Sequence, residues 1–174
     1  MEAEELQDAV LVGHSFGGIT ISGVADRIPE RVRHLVYLDS RILEAGQSML
    51  EADPDRSGAW LSIAEESGGC SIPPPSATYF DCPDPADVAW IARRLTPHPL
   101  GTFTSPLNLT NPVIGNGRPC TYVACVDPIY PWLEPCRIWA RGRTGWGWAE
   151  IAAGHDAMVS APAALAALLV SLAG

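Results

Sequence analysis

Val10-Leu11-Val12-Gly13-His14-Ser15-Phe16-Gly17-Gly18 is the stretch on which the reading of this chain turns. An apolar run enters a serine flanked by glycines, and a helix-like segment follows from Phe16 to Ile28. This is the G-x-S-x-G pattern of a nucleophile elbow, where a strand gives way to a helix through a turn tight enough to strain the serine backbone. Side chains two residues either side of the serine would collide, and Gly13 and Gly17 lack the Cβ atoms that would do so. The strain lifts Ser15 Oγ clear of the sheet and directs the Phe16 N–H to where an oxyanion would form. The plainer alternative is an ordinary strand-to-helix turn with a capping serine. The apolar strand before Ser15 and the helix after it favour the elbow.

Working outward, Ala9–Val12 is apolar at every position, as in a strand buried on both faces of a parallel sheet. Leu35-Val36-Tyr37-Leu38 has the same character and ends at Asp39. Strand, helix and strand at this spacing make a βαβ unit with a right-handed crossover. Residues 2–7 read as the end of a helix. The alternation breaks from about residue 46 to 107. There, Ser57–Glu66 reads as a helix stopped by Gly68-Gly69, a run of prolines follows at 73–75, and Asp84-Pro85 opens a helix running to Leu95. This insertion is expected to cap an active site. Cys120–Val126 is a third buried strand ending at Asp127, and a proline-interrupted helix spans Ile129–Ala140. Residues 147–151 suit a short fourth strand, Gly154-His155-Asp156 sits in the loop after it, and Ala161–Leu172 is a final apolar helix. The pattern is one domain over residues 1–174 without internal repeats.

Composition narrows the function classes. The chain has 174 residues, 47% of them hydrophobic and 18% charged, which indicates a globular core. Eleven basic against 20 acidic residues give a formal charge of −9, which argues against nucleic acid or an anionic membrane as partner. Every basic residue is an arginine. The five cysteines (70, 82, 120, 125 and 136) form no C-x-x-C pair, and the four histidines show no paired spacing, so no metal site is expected. Cys125 reads as a small buried hydrophobe, and Cys70 and Cys82 are close enough in sequence to pair. The acidic N-terminus is unlike a signal peptide and the apolar tail from 163 to 173 is too short to span a bilayer, so a cytoplasmic protein is expected.

An acyl-transfer serine needs a base to take its proton and a carboxylate to orient that base. In open α/β sheets such groups gather at the C-terminal ends of the strands. One known chain order is Ser, then Asp or Glu, then His. Ser15, Asp127 and His155 follow the first, third and fourth strands in that order. His34 lies at the wrong end of its strand, and His14 is locked beside the serine. Asp127 is the expected acid, with Asp39 its main rival because it also ends a strand. Asp156 is badly placed for its neighbour's Nδ1. The carboxylates at Asp81, Asp84 and Asp87 read as solvated or capping. His14 and Trp90 are expected at the substrate, and Trp60, Tyr79 and Phe80 are further candidates in the cap. His98 is also within reach of a substrate there.

These features resemble the α/β-hydrolases of the hydroxynitrile lyase and plant methylesterase type, including bacterial esterase-like members. The resemblance is carried by the elbow, His34-Leu-Val-Tyr-Leu-Asp39, Leu95-Thr-Pro-His-Pro-Leu100, Tyr122-Val-Ala-Cys-Val-Asp127 and Gly154-His155-Asp156-Ala-Met158. It implies the C-terminal part of an α/β-hydrolase fold: a parallel half sheet of about four strands, helices on both faces, and a helical cap at residues 46–106. It also implies Ser15 as nucleophile, Asp127 as acid, His155 as base and the Phe16 N–H as oxyanion donor. Hydrolysis of a small ester through an acyl-enzyme follows, with no cofactor. Lyase members of the group carry a lysine just after the catalytic histidine; Asp156 stands there, so esterase chemistry is favoured. Family members also have strands and a His-Gly-rich loop before the elbow, which supplies a second oxyanion donor. An N-terminally truncated member is therefore expected, with an open apolar edge at Ala9–Val12 available for self-association. Loss of one donor slows such chemistry by about a hundred- to a thousand-fold. The rival expectation is an inactive or purely ligand-binding fragment.

Overall fold

The computed structural model of the chain describes residues 1–80 and 82–174, the side chain of residue 80 excepted. The expectations for Phe80 and Asp81 therefore lie outside the described residues. Strand β1 (Ala9–Ser15) leads into helix α1 (Gly17–Arg27), and a 3-10 turn returns the chain to strand β2 (Val32–Ser40). Next come α2 (Met49–Ala52), α3 (Pro54–Glu65), the short strand β3 (Ser71–Ile72), α4 (Pro85–Ala92), its partner strand β4 (His98–Pro99) and α5 (Leu100–Thr104). The alternation resumes with β5 (Cys120–Cys125), α6 (Glu134–Arg141), β6 (Trp146–Ile151), α7 (Ala157–Ser160) and α8 (Pro162–Ala173). Residues 2–5 form turns rather than the end of a helix.

Four strands make one parallel sheet in the order β1-β2-β5-β6, with β3 and β4 pairing separately and antiparallel. This is the parallel sheet of four strands that the sequence leads one to expect, and its central strands are apolar on both faces because both faces are covered. On one side Leu35, Tyr37, Tyr122 and Ala124 pack against Ile21 and Ala25 of α1 and Cys136 and Ala140 of α6. On the other, Val36, Leu38, Val123 and Cys125 pack against Ala157 and Leu165, which belong to α7 and α8. The Trp146-Gly147-Trp148 pair packs on the sheet: Trp146 stacks on Tyr37 and Trp148 on Tyr122, with ring centroids 4.9 and 5.4 Å apart.

Strand β1 lies at the edge of this sheet, and Val12 is 41% exposed there. Helix α4 starts as its sequence predicts: Asp84 accepts from the Ala86 N–H at 2.7 Å and Pro85 takes the first position. Its regular part ends at Ala92, three residues before Leu95. Cys70 is a free thiol, so the Cys70–Cys82 pairing does not form. No helix among the described residues is long and apolar enough to cross a membrane.

Candidate active site

The elbow is built as its glycines require, with one change. Ser15 sits at φ +52°, a left-handed conformation that L-residues adopt only at some energetic cost. A Cβ on Gly13 would lie 2.7 Å from the Gly17 carbonyl. At Gly17, however, a Cβ would meet nothing within 4 Å, so the expected reciprocal crowding is corrected. The second indispensable glycine is Gly18, whose Cβ would run into Ser40 Oγ and the Arg41 carbonyl oxygen. Gly18→Ala is expected to destabilise the fold by about 1–3 kcal/mol. Gly17→Ala should change stability by less than about 1 kcal/mol. Thermal unfolding of the two variants checks the contrast.

The C-terminal end of β2 holds the elbow in place. The Ser15 carbonyl accepts from the Arg41 N–H at 2.9 Å and from Ser40 Oγ at 2.7 Å. Tyr122, fully buried in β5, fixes Ser40 in turn: its hydroxyl accepts from the Ser40 N–H at 3.0 Å and donates to the Ser40 carbonyl at 3.1 Å.

Above this scaffold three side chains form a continuous chain. Ser15 Oγ lies 3.0 Å from His155 Nε2, and His155 Nδ1 lies 2.7 Å from Asp39 Oδ2. Asp39 is completely buried and His155 is 3% exposed. The two strands explain how Asp39 reaches the imidazole. His14 pairs with Leu38 and Ser15 with Ser40, so the register slips and Asp39 is the extra residue, at φ +37°. Such a bulge re-aims a side chain that regular alternation would send elsewhere.

The expectation that Asp127 meets His155 is thereby corrected. Asp127 follows β5 with its carboxylate exposed to solvent, and its N–H donates to the Ala153 carbonyl at 3.2 Å. The bulge in β2 delivers the rival, Asp39, into the interior instead.

His14 does not line the substrate cavity either. Its Nε2–H donates to the His155 carbonyl at 2.9 Å, and its ring lies 4.5 Å from the His155 ring. It supports the loop that carries His155. Burial, followed by repulsion from His155, lowers its pKa from 6.5 to about 4. The folded value lies below the unfolded one, so this contribution to stability is present above pH 6.5 and lost as the pH falls toward 4. The loss is at most roughly 1.4 kcal/mol per pH unit. Urea unfolding between pH 4.5 and 7 should therefore show a shallower pH slope for His14→Gln than for the native chain. Trp90 is also displaced from the expected site: it is 45% exposed on α4, with the Arg94 guanidinium 4.1 Å from its ring centre.

The cavity beside Ser15 has a volume of about 520 Å³ and one wall of it is aromatic. Phe16 stacks on Phe103 at 5.6 Å, and Trp60 meets Phe103 edge-on at 4.9 Å. His98, Tyr79 and Tyr130 complete this wall, so two of the expected cap aromatics (Trp60 and Tyr79) do line it. Two residues that sequence reading passed over also reach the cavity. Arg41 and Arg56 share the carboxylate of Asp53, and Arg56 lies over the Trp60 and Trp132 rings at 4.8 and 4.4 Å. No local motif announces that trio; only the packing of α3 on the end of β2 brings it together.

A strained serine at a strand-to-helix turn, a histidine on its hydroxyl and a carboxylate on the histidine thus lie together at the C-terminal end of a parallel sheet. The model of the alpha/beta hydrolase family matches residues 2–168, and the chain belongs to that family. It is 35% identical to the carbendazim-hydrolysing esterase of Nocardioides sp. (strain SG-4G) over 99% of this chain and 74% of that protein. It is 26% identical to the putative chloroplastic methylesterase 14 of Arabidopsis thaliana over 66% of this chain and 37% of that one. Among solved structures, an extracellular α/β-hydrolase from a Paenibacillus species superposes with a TM-score of 0.81 at 22% identity, covering 98% of this chain and 74% of that one. Tomato methylketone synthase I in its H243A form gives a TM-score of 0.77 at 16% identity, covering 96% and 71%.

Proposed function

We propose that the chain hydrolyses small carboxylic esters through a serine acyl-enzyme. Kinship with a bacterial esterase and with plant methylesterases supports ester hydrolysis as the reaction class. The observation that carries the finer reading is the unbroken Ser15–His155–Asp39 chain at 3.0 and 2.7 Å. In it, His155 Nε2 takes the proton of Ser15 Oγ as the oxygen attacks the ester carbonyl. Asp39 keeps the imidazole in the tautomer with Nδ1 protonated and stabilises the imidazolium. The Phe16 N–H, at the positive end of α1, faces the developing oxyanion. His155 then gives its proton to the departing alkoxide, and the same base activates water to release the acid.

The segment at 46–106 acts as the cap. Its aromatic wall favours a flat, partly apolar acyl or alcohol group, stacked between Phe103 and Tyr130. Carbendazim, named for the bacterial relative, is accordingly a substrate to try beside simple aryl acetates. Phe103→Ala should raise KM for an aryl ester about tenfold and leave KM for ethyl acetate within about twofold, since one lost aromatic contact removes roughly 1–1.5 kcal/mol of binding. A fluorophosphonate probe tests the chemistry directly. Labelling of Ser15 that disappears in His155→Ala supports the proposal; a native chain that takes no label and turns over no ester is a binder instead.

A further inference from the structure

Arg137 of α6 is a buried charge in contact with Asp39 that the mechanism above does not use. Its Nη2 donates to Asp39 Oδ1 at 2.7 Å, and the pair is 5% and 0% exposed. Asp39 thus splits its two oxygens, one for Arg137 and one for His155. Arg137 Nη1 donates to the Tyr130 carbonyl at 2.9 Å, and the Tyr130 ring lies flat on the His155 ring, 4.4 Å away at 19°. One guanidinium therefore holds both the carboxylate at the edge of the imidazole and the aromatic ring on its face. Arg137 Nε is buried without a hydrogen-bond partner, the sole such side-chain atom among the described residues. An unpaired buried donor costs about 1–3 kcal/mol, so stability alone gives a poor account of an arginine here.

We infer that Arg137 is a positioning residue for the base: it fixes Asp39 and Tyr130 around His155 and offsets the carboxylate's charge. The inference rests on the proposed roles of Ser15, His155 and Asp39. Among the described residues, the charges and titratable groups facing His155 include Asp39 from β2, His14 from β1, Tyr130 and Arg137 from the β5–α6 connection and α6, Cys125 Sγ from β5 at 3.9 Å from its carbonyl, and its neighbour Asp156. Arg137 is the permanent cation of this group. Without it, Asp39 meets the imidazole with its full negative charge. Protonated His155 is then favoured, and its titration moves to higher pH.

The test follows the imidazole of His155 by NMR across pH in the native chain, in Arg137→Gln and in Arg137→Lys. It is paired with the pH profile of fluorophosphonate labelling at Ser15. The titration midpoint in Arg137→Gln should rise by about one pH unit, with the acid limb of labelling rising in step, while Arg137→Lys stays close to native. A midpoint that does not move in a folded Arg137→Gln overturns the inference. If that variant does not fold, Arg137→Lys decides alone. A single ammonium cannot span both Asp39 and the Tyr130 carbonyl, so labelling should slow at least tenfold; an unslowed rate overturns the inference. The NMR titration needs no turnover. A shifted midpoint in a chain without ester hydrolysis leaves the role of Arg137 standing and removes the esterase reading.

Discussion

Replacing Ser15 with alanine is expected to reduce kcat for an aryl acetate by roughly 10⁴- to 10⁶-fold, with KM little changed. Ser15 Oγ pairs with His155 Nε2 across 3.0 Å, from a left-handed backbone position. The alanine variant relieves none of the scaffold's requirements, since Gly13 and Gly18 are still needed for the turn. Its melting temperature should therefore stay within a few degrees of native. Fluorophosphonate incorporation should vanish, read by intact-protein mass. A variant that kept more than a hundredth of native turnover would place the nucleophile elsewhere.

The second large effect separates two aspartates. Asp39→Asn should lower kcat by about 10⁴-fold, because an amide at this position favours the wrong imidazole tautomer and offers no charge to the imidazolium. Asp127→Asn should stay within about threefold of native, its side chain being exposed to solvent. Asp39→Asn also leaves Arg137 buried without its counter-charge. Removing one partner of a buried pair destabilises by about 3–5 kcal/mol, so its denaturation midpoint must be measured beside its rate. A folded Asp39→Asn that worked at native speed, next to a dead Asp127→Asn, would reverse the assignment.

Much of this architecture could be read from the chain. The apolar runs at 9–12, 35–38 and 120–126 became neighbouring parallel strands; the last two are covered on both faces, whereas 9–12 stays half-exposed at the sheet edge. The elbow and the His155 loop fell at strand ends, where an open α/β sheet presents its chemistry. The helix at 84–92 announced itself through a capping Asp and a proline. What escaped the reading depends on geometry between segments. Asp39 and Asp127 look alike in sequence, each closing a buried strand. Nothing local says that β2 slips register after Leu38 and turns Asp39 inward. Arg137 lies 98 positions from Asp39, inside a helix whose other residues read as ordinary packing. His14 adjoins Ser15 in the chain and Trp90 lies in the cap segment, yet one supports a loop and the other faces solvent under Arg94.

The order of residues thus settled which segments would become parallel strands and which serine would be raised on a strained turn, since apolar runs and the absence of Cβ atoms are local properties. The choice of carboxylate, the arginine that grips it and the rings that shape the cavity were left to tertiary packing. Each depends on a register, a bulge or a helix approach that many separated residues set together.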